Sequence, residues 1–126
     1  MSEYPRKPYH TWSSDPDGHW IDTGNTFGVH LMKQARDQAL ATIPASASAE
    51  TKAVATEAIR IAIFGVLEML DGFSRNEIDE RHRVEYALMA HIIEDSTRVL
   101  ETVELAPDGD GLCMGLAGWW NDEFWR

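Results

Sequence analysis

Five histidines and one cysteine are the residues of this 126-residue chain with the richest chemistry, and their spacing decides what they can do together. His82 and His91 stand nine positions apart. An odd spacing places them on opposite faces of a strand, and nine steps of about 100° do the same on a helix, so one regular element cannot bring both to a single ion. On a helix, His91 would share a face with Glu94 and Asp95, and Asp79 with His82, each pair supplying half a site. His10, His19 and His30 lie in or beside a segment with no regular period. A small metal-dependent hydrolase built from His10, His19, His82 or His91 with nearby Asp or Glu ligands is therefore the alternative functional reading. Asp15–Gly18 (DPDG) and Asp108–Gly111 (DGDG) resemble the opening of calcium loops, but the twelfth positions are Thr26 and Trp119, where the loop needs a carboxylate. No phosphate-cradling loop, dinucleotide fingerprint or G-x-S-x-G elbow occurs. Cys113 as a nucleophile would need a base and a lowered pKa, and in LCMGL it reads as a small core or strand residue instead. The reading assigns no catalytic residue, no metal and no cofactor.

The net charge is −10, with 44% hydrophobic and 10% aromatic residues, a composition that folds into a single domain. Residues 1–70 carry 8 acidic and 6 basic residues, and residues 71–126 carry 13 and 5, so the second half holds most of the excess. Such a surface repels nucleic-acid phosphates and anionic membranes and attracts basic partners, which excludes nucleic acid and membrane as direct partners. The first 25 residues show no secretory h-region. The apolar run Ile61–Leu67 is far shorter than the roughly 20 residues a membrane span requires. The expected location is cytoplasmic.

The elements that must position these side chains read as α+β: two long helices packed on a three-stranded antiparallel meander, with an irregular N-terminal arm. Residues 1–25, rich in proline and turn formers, are the arm. Residues 26–72 form a helical hairpin. Thr26 caps a first helix whose stripe is Phe27, Leu31, Ala35, Ala39 and Ile43, ended by Pro44. Ser48 caps a second helix over about 49–70, stopped at Gly72, with Val54, Ala58, Ile61, Ala62, Gly65 and Glu68 or Met69 as its stripe. Gly65 inside that helix costs about 1 kcal/mol against alanine, so a neighbour is expected to pack closely there. Residues 73–126 are mainly β. Ser74–Glu77 (SRNE) fits a capping box and a short helical turn near 75–80. Alternation then predicts strands over 84–93, 98–106 and 112–120. A third helix over 75–95 with a lone hairpin is the competing arrangement.

The stretch Ala62–Gly72, AIFGVLEMLDG, resembles a pattern in small bacterial proteins of the kind that includes immunity proteins encoded beside polymorphic toxins. The resemblance implies a non-enzymatic α+β protein that binds a partner, and it carries over no catalytic residue.

Residues 118–125, GWWNDEFW, place three tryptophans and a phenylalanine at the end of the chain. On a strand, Leu112, Met114, Leu116 and Trp120 share one face, which predicts Trp120 as the core latch. Trp119, on the small-residue face, is then expected to join Phe124, Trp125, Trp12 and Trp20 in a contact surface. The function read from these features is an acidic, non-catalytic interaction protein, an immunity-type antidote to a basic partner, and a homodimer through its aromatic ends.

Overall fold

The computed structural model describes residues 7–72, 76–107 and 111–123. A 3₁₀ turn, Tyr9–Thr11, precedes helix α1, Pro16–Leu31. A π-helical stretch, Met32–Asp37, leads directly into α2, Gln38–Ala41, and α3 follows at Ala49–Asp71. Four strands come next: β1 Asn76–Glu77, β2 Arg83–Val84, β3 Met89–Glu94 and β4 Arg98–Glu104. Helix α4, Leu112–Trp120, closes the order. The fold is α+β, with two separate two-stranded antiparallel sheets, β1–β2 and β3–β4.

The irregular arm is shorter than expected, because helix α1 starts at Pro16 and not at Thr26. Asp15 is its N-cap, with the side chain accepting the Gly18 amide at 3.3 Å, Pro16 in the first turn and Asp17 beside it. Proline at the first helical position is pre-set in φ and loses no hydrogen bond, so Asp15-Pro16-Asp17 is a helix start and not a turn. Helical geometry then continues through the π segment to Ala41. In a π-turn, residues four and five apart share a face, and Met32 and Arg36 both point inward. Helix α3 matches its predicted bounds. Ser48 accepts the Thr51 amide, and Gly72 ends the helix at φ +82°, a conformation that costs glycine little.

Which side of α3 is buried differs from expectation. Ile63 and Leu67 lie in the core, flanked by Ile59 and Leu70. The predicted stripe lies on the opposite side, with Val54, Ile61 and Met69 exposed. Among the described residues, nothing lies within 4 Å of the position a Cβ would take at Gly65, so the close neighbour expected there is not found among them.

Strands β3 and β4 pair as a hairpin where two strands were expected, but the first begins at Met89 and not at residue 84, and the second ends at Glu104 and not at 106. Leu88, Ala90 and Val103 turn toward the core, in keeping with the alternation, and a bulge beside Ile92 shifts the register near the tip. Asp95 and Ser96, both with positive φ, make the turn between the strands. The third strand of the meander does not form. Residues 112–120 are helix α4, with Leu112, Leu116 and Trp119 buried at i, i+4 and i+7. In a run that is apolar or glycine throughout, a period of two and a period of 3.6 both find matches, and packing chooses between them. The short helical turn near 75–80 is also absent from the described part of that range, where β1 and a bend stand. Ser74 lies outside the described residues.

Trp119 therefore takes the role expected of Trp120. It is 3% exposed, its ring meets Phe27 edge-on at 6.0 Å, and its Nε1–H donates to Asn25 Oδ1 at 3.1 Å. Helical side chains lean toward the N-terminus, so the indole folds over Gly115, four residues earlier, and against Gly28 of α1. A Cβ at Gly28 would fall on the indole carbons, whereas one at Gly24, a turn earlier, would meet nothing within 4 Å. Trp120 is half-buried at the edge of the core. Gly28→Ala is expected to destabilise by about 2–3 kcal/mol through overpacking. Gly24→Ala should stabilise by about 0.5–1 kcal/mol through helix propensity. Urea melts of the two variants check both signs.

Candidate binding surface and the clamps on the last helix

Helix α4 has no charged residue and no side-chain cap of its own, since Gly111 stands at its N-cap. Its unpaired amides and carbonyls are met by charged side chains from other helices. Asp71, the last residue of α3, is buried, and its Oδ1 and Oδ2 accept the Leu112 and Cys113 amides at 3.2 and 2.7 Å. At the other end, Arg36 of the π segment donates from Nη1 to the Trp120 carbonyl at 2.6 Å and from Nη2 to Asp122 at 2.8 Å. Its Nε–H donates to Asp37 at 2.7 Å, and its guanidinium lies 5.5 Å from the Trp120 ring centroid. An anion at the helix N-terminus and a cation at its C-terminus both complement the helix dipole. Burial, and then repulsion from Asp122, hold the Asp37 carboxyl above its usual range.

Asp71 also governs Cys113. Burial first, and then a hydrogen bond and repulsion from Asp71, push the thiol up from 9.0 to about 12. A thiol held protonated is a poor nucleophile and a poor metal ligand. The structure thus assigns Cys113 to packing.

The N-terminal aromatic residues close over the start of α1. Tyr9, Trp12 and His19 form a cluster with ring centroids 5.2 to 5.8 Å apart. Trp12 Nε1–H donates to the Lys7 carbonyl, and Lys7 pairs with Asp22 at 3.0 Å. His19 Nδ1 meets Glu101 at 3.0 Å, while its Nε2 is buried with no hydrogen-bond partner among the described residues. Trp20 Nε1–H donates to the Leu105 carbonyl at 3.1 Å, which ties β4 to α1. Of the expected contact residues, Trp12 and Trp20 are half-buried and Trp119 is interior, so Trp119 is not part of a surface. Phe124 and Trp125 lie outside the described residues.

The histidines stay apart. His82 meets Asp79, and His91 pairs across the hairpin with Thr102. Among the described residues, no three His, Cys, Asp or Glu side chains converge where an ion could be held. Among the same residues, no helix is long and apolar enough to cross a membrane. What the structure does expose is apolar surface along α3 and the hairpin: Val54, Ile61, Val66 and Met69 on the first, Met89, Ile93 and Val99 on the second. Sequence reasoning located neither this surface nor Asp71 and Arg36. Asp71 was visible only as the residue before a stop glycine, and Arg36 only as one charge in a helix.

No protein-family model matches the chain, and no curated protein or solved structure matches it significantly.

Asp71→Ala is expected to destabilise by about 2–4 kcal/mol, because two α4 amides lose a charged acceptor. A thermal melt of the variant reads this. The Cys113 thiol has a folded-state value above its unfolded one, so the folded chain holds the proton more tightly. Stability should therefore fall as pH rises from 9.0 through about 12. The slope over that window should be shallower in Cys113→Ala, as urea melts at stepped pH would show. Iodoacetamide at pH 8 should leave native Cys113 unmodified and label it readily in denaturant.

Proposed function

We propose that this chain is a non-catalytic, acidic interaction protein of the cytoplasm that acts by binding protein partners. Self-association into a homodimer belongs to that reading, as does an immunity-type role against a basic partner. The observation that carries it is the exposed apolar surface: fifteen large apolar side chains among the described residues, from Tyr9 to Met114, stand exposed. Single exposed apolar residues are ordinary, but concentration on one helix and one hairpin marks contact surface. The charge supports the second half of the proposal. A chain of −10, with its acidic excess after residue 70, steers basic proteins toward it and away from phosphate-bearing ligands.

Two measurements test the reading. Light scattering of the full chain at tens of micromolar should give a dimer mass, and a clean monomer would count decisively against self-association. Elemental analysis of purified protein should find no stoichiometric transition metal. Stoichiometric zinc, iron or manganese would instead favour the metal-dependent hydrolase. A basic toxin encoded by the neighbouring gene would give the antidote role its partner.

A further inference from the structure

Residues 76–87 lie between α3 and β3 and belong to neither. Every residue from Asn76 to Ala87 is exposed, including the apolar Ile78 at 68%, Tyr86 at 40% and Val84 at 38%. The core takes Leu70 before this stretch and Leu88 after it, and nothing from within it.

The interactions that shape the stretch are local. Strands β1 and β2 pair only through Asn76 with Val84 and Glu77 with Arg83. Across the turn, the Ile78 and Asp79 amides donate to the His82 carbonyl at 2.9 and 3.3 Å. Asp79 accepts the Arg81 amide at 2.8 Å and meets His82 Nδ1 at 2.7 Å. Asn76 donates to the Tyr86 hydroxyl at 3.2 Å, and Arg83 pairs with Glu85. All of these side chains stand in water, where such bonds compete with solvent and exposed ion pairs contribute little. A lone two-stranded hairpin is marginal until a third strand or a helix packs on it. Sheet β1–β2 has no third strand among the described residues. The β3–β4 hairpin is held differently. Its ladder runs from Met89–Glu104 to Glu94–Arg98, it buries one face, and Trp20 and His19 tie it to α1.

We propose that residues 76–87 open as a separate unit while the rest of the fold stays closed. Arg81 and Arg83 make this unit the chain's cleavage site for proteases that cut after a basic residue. Local opening costs least where backbone is exposed and unsupported, and exposed polar tips are where nicking concentrates. Other basic residues are worse placed. Lys33, Lys52 and Arg60 stand in helical segments, Arg36 is buried, and Arg98 begins β4, whose ladder would have to part first. Cleavage hydrolyses the Arg81–His82 or Arg83–Val84 peptide, with water giving OH to the arginine carbonyl and H to the amine of the next residue. The fold should survive the cut. Asn76 and Val84 are direct strand partners, so the two feet of the stretch are adjacent, and the core on either side keeps its contacts. The property belongs to the hairpin itself and needs no partner.

The test uses the full chain. In amide hydrogen exchange, residues 76–87 should be protected less than about tenfold, against roughly a thousandfold or more for Ile63 and Leu67 of α3. Trypsin at low ratio should cut first after Arg81 or Arg83. The two fragments should stay together through gel filtration and keep the helical circular-dichroism signal. Arg81→Gln combined with Arg83→Gln should slow the first cut at least about tenfold. Replacing Glu77–Arg83 with Gly-Gly leaves a two-residue hairpin loop, and the shortened chain should melt within about 5 °C of wild type. A first cut after Lys52, Arg60 or Arg98 would overturn the cleavage site. Protection at 76–87 equal to that of α3 would overturn separate opening. Fragments that part or aggregate on cutting would make the stretch integral to the fold and overturn both.

Discussion

The structure depends on how α4 is held. A nine-residue helix with no charge and no cap is marginal in water, since its orphan amides and carbonyls have nothing local to bind. Here two buried ionic side chains supply what the segment lacks, Asp71 at one end and Arg36 at the other. Each comes from a different helix, so the pair fixes α4 in position as well as capping it. Removing either partner would leave a buried polar group exposed to an apolar interior, which is why such pairs tie elements together so firmly.

Trp119 makes the same junction on the apolar side. Its indole needs two glycines to lie flat between α1 and α4, one on each helix. Close packing of a rigid ring against backbone leaves little freedom for the angle between the helices. The π segment belongs to this junction too, because it turns Met32 into the core and brings Arg36 to the carbonyl end of α4. The core that results, from Met32 through Ile63 and Leu67 to Leu105, Leu112 and Leu116, is compact and one-sided. Helix α3 gives it only one of two apolar faces, and the hairpin only its inner residues. The remaining apolar surface of both stands exposed.

Much of the local structure was legible in the residues. Ser48 and Gly72 bracket α3 because a hydroxyl cap and a glycine with positive φ are local devices that act wherever they occur. The β3–β4 hairpin follows from alternation that one covered face enforces, with Leu88, Ala90 and Val103 inside. Asp15-Pro16 carried its helix-start signal as well, although neighbouring prolines and glycines make the same letters read as a turn. The contact role expected of Trp119 failed for a different reason. Only on a strand does Trp119 turn away from Trp120's face, and a uniformly apolar segment holds no polar residue to distinguish the two periods.

By itself, then, the sequence determined the α+β class, the acidic charge, the bounds of α3 and the presence, though not the bounds, of the β3–β4 hairpin, because caps, alternation and composition act over a few residues. Only the tertiary structure decided that residues 112–120 are helical, that Trp119 and not Trp120 fills the core, and that the Val54–Met69 stripe looks outward. Those outcomes turn on partners far apart in the chain: Asp71 with Leu112 and Cys113, Arg36 with Trp120, and Gly28 with Trp119. A helix with two apolar faces fits a core by either one, and the choice is made by which neighbours arrive to cover it.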